Sequence, residues 1–389
     1  MTASVLVHTR PTAARRPLLV TAVVLTLVAN AAALVSDVVG GTFLNPYNAT
    51  QYYLTWQDGF FRRGFPGTVL HLLIGRDPTL RELSVVTAVA TVLGLVGMLG
   101  FVLAVTRLPA FAGSEGVVLT LLVASPLTFS MVLHNRSRLD PVVVVLVFLL
   151  ALLPARVLTA RWLSSVLAAG LAAAAVGSLE FAIGFVAPLL LARALRSGDA
   201  GRFVRLGAEL APALALAAAS LVLRPSPVVI DRVTARFAAA GVAAPHENSV
   251  SVLTNTVPEA LTLNRDHLLL TRVLWFAVFA ACFAVTVHLL RRLGRTGGFD
   301  TRANLTFLAC CGVTAGLVSI VGFDYGRWFS LALLALGSSM IILRGSPAPS
   351  WRVLGRTDRP LTRPTGLLVL AVLGVSLVGQ QFPVYPAWG

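Results

Sequence analysis

The chain has no lysine. All 31 of its basic residues are arginine, and only 16 acidic residues oppose them, which leaves a formal net charge of +15. Charge of either sign is scarce: 12% of the 389 residues are charged, where soluble domains carry roughly 25%. With 57% hydrophobic residues and a mean hydropathy of +0.83, that scarcity excludes a soluble globular protein and a disordered chain. Cysteine is scarce as well. Cys282, Cys310 and Cys311 lie in apolar runs, and an adjacent pair plus one other residue is neither a disulfide framework nor a zinc site. There is no GxxxxGK[ST] loop, and no cytoplasmic connection is long enough to house a nucleotide-binding domain, so an ATP-driven pump is not expected.

What is abundant is long apolar sequence. Apolar stretches run at about 18–38, 83–106, 116–133, 141–158, 163–178, 181–195, 206–223, 268–289, 304–322, 328–343 and 365–380. At about 20 residues per crossing, the expected fold is all-α. It is a single integral-membrane domain over 1–389, a polytopic bundle of about eleven transmembrane helices. The first stretch is longer than a usual signal-peptide core and is followed by Asp37, so it reads as a signal anchor.

The arginines orient this bundle. With Arg10, Arg15 and Arg16 in the cytoplasm and alternating sides thereafter, 19 arginines and 5 acids fall inside, against 12 arginines and 11 acids outside. Inward basic excess is the usual topology signal. The basic charge is thereby accounted for without a nucleic-acid partner. The expectation is a multi-pass protein of a bacterial plasma membrane, N-terminus cytoplasmic and C-terminus extracytoplasmic. The lysine-free composition, rich in Ala, Val and Leu, suggests a high-GC bacterium.

The outer side carries two long connections, 39–82 and 224–267, and three short ones. Each delivers charged or amide residues to a membrane rim, where such groups are rare unless they pair or line a polar cavity. In the first, Asp37 stands where the first span emerges. Asp58 lies in YYLTWQDGFFRRG, whose Tyr52, Tyr53, Trp56, Phe60 and Phe61 suit a lipid interface. The following FPGTVLHLLIG is apolar but too short to span, which suggests an interfacial or re-entrant helix. A carboxylate can accept a proton from an attacking hydroxyl, and paired guanidiniums such as Arg62 and Arg63 can grip a phosphate in two-bond fashion. The plainer alternative is that Arg62 and Arg63 meet lipid headgroups and Asp58 pairs with one of them.

The turn HNRSRLDP supplies His134, Arg138 and Asp140. Asp140 before Pro141 also fits a plain helix cap, whereas His134, Arg136 and Arg138 crowd positive charge on the side that topology disfavours. Glu180, beside an apolar run, calls for an arginine partner from another outer connection. Asp324 and Arg327 flank Tyr325-Gly326, and their i, i+3 spacing suits a structural pair on a helical turn; as site residues, Arg327 is the better choice as a phosphate ligand than Asp324 is as a base. In the second long connection DRVTARFAAAGVAA has helical composition, and His246, Glu247, Asn248, Asp266 and His267 leave a divalent cation open. They lack tight metal-ligand spacing, so no metal ligand is assigned. Asn48-Ala49-Thr50 forms a glycosylation sequon.

A long first outer connection with Asp37 at the end of span one, a further Asp58, interfacial segments and about eleven spans resembles the GT-C superfamily of membrane glycosyltransferases. The resemblance implies a polyprenyl-phosphate sugar donor and a glycan, lipid or protein acceptor. It implies that Asp37 or Asp58 activates the acceptor hydroxyl, and that Arg62, Arg63, Arg138 or Arg327 holds the departing lipid phosphate. The family often carries paired acids in that connection, and this chain has none. A polysaccharide polymerase or ligase acting on lipid-diphosphate glycans is the alternative, with arginines rather than a carboxylate as the critical groups. A transporter or lipid-linked glycan flippase is a further one, and it predicts midplane charges that this sequence has few of.

Overall fold

The computed structural model describes residues 46–106, 138–153, 161–197 and 200–242, with a few isolated positions besides. Six of the expected spans, 18–38, 116–133, 268–289, 304–322, 328–343 and 365–380, lie outside the described residues. Among the described residues every regular element is helical and there is no strand. The helices are α1 (Pro46–Thr50), α2 (Gly64–Ile74), α3 (Leu80–Thr106), α4 (Asp140–Leu152), α5 (Arg161–Ser178), α6 (Ile183–Ser197), α7 (Arg202–Val222) and α8 (Pro227–Ala239). Short 3-10 turns occur at Trp56–Asp58 and Glu180–Ala182.

Two of these helices are long and apolar enough to cross a membrane, α3 through its Leu80–Gly97 part and α7. Only 22% and 17% of their apolar windows are buried inside the molecule. The core helix of a soluble domain would be mostly buried. Instead Val85, Val89, Val92 and Val96 form an exposed stripe along α3, spaced at three and four residues as one helical face requires.

Local chemistry sets the helix ends. Thr79 and Glu82 form a reciprocal capping box at the head of α3: the Thr79 N–H donates to Glu82 Oε2 (2.7 Å) and the Glu82 N–H donates to Thr79 Oγ1 (3.3 Å). Gly75 closes α2 in the left-handed region (φ 75°), its N–H donating to the His71 carbonyl. Within the stretch expected at 141–158, helix α4 ends at Leu152, and residues 154–158 lie outside the described residues. Leu153 is already extended (ψ 106°), because Pro154 disfavours helical backbone in the residue before it. The neighbouring stretches 163–178 and 181–195 are two separate helices, α5 and α6, broken at Leu179–Ala182.

α5 is the hub, packing on α2, α4, α6 and α7. The contacts at its two ends show how the chain alternates. Near its start, Ser164 and Ser165 meet Arg193 of α6 and Glu209 of α7, while Arg193 also donates to the Leu153 carbonyl at the foot of α4. At its far end, Gly177 lies against Trp56 and Phe65. Thirteen residues separate Ser164 from Gly177, about 20 Å along a helix. The bundle therefore has a charged cluster at each end and a small-residue, apolar middle of Ala168, Ala172, Ala175 and Val176.

Candidate functional site

The end of the bundle that the sequence assigns to the outer face is capped by a small apolar core. Ala49, Tyr52, Tyr53, Leu54, Phe61, Leu70 and Leu83 pack there with Leu139 and with Val233, Phe237 and Val242 from the α8 region. Tyr52, Tyr53 and Phe61 are at most 2% exposed, so they fill this core instead of facing lipid. The reason is that α8 covers them. The Tyr53 ring meets Phe237 edge-on at 5.8 Å, and each buried hydroxyl finds a carbonyl: Tyr52 Oη donates to Arg138 (3.0 Å) and Tyr53 Oη to Pro78 (2.7 Å). Burial, with Asp140 nearby, pushes the Tyr52 hydroxyl well above the usual tyrosine range. The sequon is inaccessible, since Asn48 and Thr50 are 6% and 4% exposed.

Trp56 is the keel of the first connection. Its indole Nε1 donates to the Phe61 carbonyl (3.0 Å), and its ring stacks on Phe60 with centroids 6.1 Å apart. Glycine makes the room. A Cβ on Gly64 would stand 2.6 Å from the Trp56 ring, and one on Gly177 would stand 2.9 Å from Phe65 Cβ. A Cβ on Gly67 would collide with the Leu54 carbonyl oxygen. These close approaches hold the Asp58–Arg63 segment against α2 and α5.

Two ion pairs then tie distant connections together. Arg63 grips Glu180 through Nε (3.0 Å) and Nη2 (2.9 Å). Both side chains are nearly buried, and Arg63 holds this position from a left-handed backbone (φ 64°) at the head of α2. Burial would raise the Glu180 pKa, but the charge and hydrogen bonds of Arg63 dominate and hold it below the usual glutamate range. Arg62 lies in the same field. Burial lowers its pKa, Glu180 opposes that, and the like charges of Arg63 and Arg224 lower it further.

The second pair was not expected from the sequence. Arg236 of α8 holds Asp58 by two bonds, Nη1 to Oδ2 (2.8 Å) and Nη2 to Oδ1 (2.9 Å). Thr55 Oγ1 donates to the same carboxylate (2.9 Å), and Arg232 stands 4.0 Å away. The Arg236 Nε lies 3.2 Å from Asp77, whose other oxygen lies 3.4 Å from His71 Nδ1. Burial would raise the Asp58 pKa, but the bonds from Arg236 and Thr55 and the charges of Arg236 and Arg232 hold it below the usual aspartate range.

Of the residues singled out beforehand, Asp58, Arg62, Arg63 and Glu180 thus stand around one rim. Asp140 is 2% exposed and lies next to Tyr52, one residue inside α4; Leu139 occupies the cap position. Arg138 meets that tyrosine through its backbone. Asp37, His134 and Arg327, and the His246–Asn248 and Asp266–His267 groups, lie outside the described residues. Among the described residues no three His, Cys, Asp or Glu side chains group as a metal site. Arg224, Arg232, Arg236 and Asp77 were missed. The signal was present: Arg232 and Arg236 sit one helical turn apart in an outer connection, positive charge on the disfavoured side. No family model, curated protein or solved structure matches the chain.

Proposed function

We propose that this chain is a membrane glycosyltransferase that moves a sugar from a polyprenyl-phosphate donor to an envelope glycan, lipid or protein acceptor. It would act at the extracytoplasmic rim of a bundle of about eleven helices in a bacterial plasma membrane. One observation carries the reading: carboxylates and guanidiniums from connections as far apart as residues 58, 63, 180 and 236 gather at one end of the helices.

The chemistry asks for few parts. Asp58 or Asp37 takes the acceptor hydroxyl proton as the new glycosidic bond forms. The bond from the anomeric carbon to the phosphate oxygen breaks, and the polyprenyl phosphate leaves with that electron pair. Arg62 and Arg63, with Arg224 nearby, stabilise the growing phosphate charge. The donor carries its own activated leaving group, so no nucleotide site is required, and a divalent cation is an optional addition.

The grip of Arg236 on Asp58 favours a second reading, the polymerase or ligase of lipid-diphosphate glycans, because a carboxylate tied by two bonds is a poor base. Transfer from a synthetic polyprenyl-phosphate sugar by detergent-purified protein separates the two. The glycosyltransferase reading expects Asp58→Asn or Asp37→Asn to lower turnover by about 100-fold or more, the scale of general-base catalysis. Turnover of a lipid-diphosphate glycan in place of the monophosphate donor, unchanged in both variants and lost in Arg62→Ala, would leave the polymerase reading. No transfer by the unaltered protein from monophosphate donors would defeat the first reading.

A further inference from the structure

Arg236 has no part in the catalytic roles just assigned, yet it holds Asp58 by two bonds and also reaches Asp77. We propose that Arg236 is an exchangeable clamp: it grips Asp58 while the site is empty, and the donor's phosphate takes over its fork and releases Asp58. This rests on the glycosyltransferase reading and adds a control step to it.

Four features support the exchange. A guanidinium fork fits a phosphate as well as a carboxylate, so the two anions compete for the same donors. Arg236 uses Nη1 and Nη2 on Asp58 but turns Nε toward Asp77. The fork can therefore let go while the side chain stays anchored. Asp58 has its own second support, the Thr55 hydroxyl at 2.9 Å, and keeps its place after release. Arg232, one turn earlier on α8 and 60% exposed, faces the same carboxylate at 4.0 Å. It offers a second cation to the donor's phosphodiester anion, and to the monoester dianion that leaves, and marks the side from which the phosphate arrives.

The groups facing Asp58 are Thr55 from its own segment and Arg232 and Arg236 from α8; Asp77, itself beside His71, shares Arg236. Loss of the fork removes the strongest influence that keeps the carboxylate from taking a proton. The base becomes competent when the donor is present, and not before.

The test is binding of farnesyl phosphate to the full chain in detergent, by calorimetric titration, alongside thermal unfolding. Removing the internal competitor with Asp58→Asn is expected to tighten binding about tenfold, and Arg236→Gln to weaken it about tenfold or more, as one charge-assisted contact allows. If Asp58→Asn does not fold, Asp58→Glu keeps the charge but spoils the two-bond fit, and is expected to tighten binding in the same direction. Unchanged or weaker binding in a folded Asp58 variant overturns the exchange. If Arg236→Gln alone weakens binding, Arg236 is a simple ligand and the exchange is likewise overturned. Normal binding in the Asp58 and Arg236 variants overturns the exchange but leaves a phosphate site on Arg62 and Arg63 intact. No binding by the unaltered protein overturns both.

Discussion

At the scale of single residues, the rim is built from charges that need one another. The Asp58 side chain is 7% exposed and Arg236 is 21% exposed. Removing one partner strands the other in a poorly hydrated place, so Arg236→Gln is expected to destabilise the protein by about 2 kcal/mol, less than the roughly 3–5 kcal/mol that breaking a fully buried pair costs, because Arg236 keeps part of its surface in water. Thermal unfolding in detergent reads this directly. The pH dependence follows from the sign of the shift. The folded-state pKa of Asp58 lies below its ordinary value of 3.8. Its contribution is therefore complete above 3.8 and is lost as pH falls through the lower folded value. In that acid window the unaltered protein should lose more unfolding temperature than Arg236→Gln, which keeps only the weaker Arg232 contact at 4.0 Å. Equal losses would mean that the pair contributes nothing.

At the scale of elements, the tight spots are glycines and caps. Gly67→Ala sets a methyl against the Leu54 carbonyl, and overpacking of this kind costs about 1–3 kcal/mol. Thr79→Ala removes one side of the box that starts α3 and is expected to cost about 1 kcal/mol. Unfolding midpoints of the two variants check both numbers, with Gly170→Ala, which meets nothing within 4 Å, as control. Much at this scale was legible beforehand. The apolar segment after Arg63 is a helix of 11 residues, because eleven apolar residues bounded by glycine leave little else. The expected helical composition of the 231–244 region corresponds to α8, shifted to Pro227–Ala239 because Pro227 is a ready helix start. What composition cannot reveal is which face of a helix meets which loop. Tyr52, Tyr53 and Phe61 have the amphipathic look of interface residues. Only the arrival of Val233 and Phe237, about 180 residues downstream, turns them into a core. The Asp58–Arg236 pair was hidden for the same reason, whereas the need of Glu180 for an arginine was readable from its place beside an apolar run.

At the scale of the molecule, the two charged clusters divide the bundle. One joins Asp58, Arg63, Glu180 and Arg236; the other joins Arg193, Arg205 and Glu209 with Ser164 and Ser165. Alternating helix direction, which the arginine bias led one to expect, is what lets α4 to α7 put these groups at opposite ends. Sidedness is then open to a labelling experiment in intact cells. Cysteine at exposed Gln57 should react with a membrane-impermeant maleimide from outside, and cysteine at exposed Gly201 only after permeabilisation. The opposite pattern would move the whole rim to the cytosol and end the proposed chemistry.

Arg63 answers two masters. Its left-handed backbone is a conformation that glycine adopts freely and other residues adopt at a penalty of about 1 kcal/mol or more, while its partner Glu180 demands a guanidinium. Sequence drift should feel both pressures. In relatives that keep this layout, replacement of the acid at 180 and arrival of glycine at 63 are expected to travel together, leaving a paired substitution that an alignment can count.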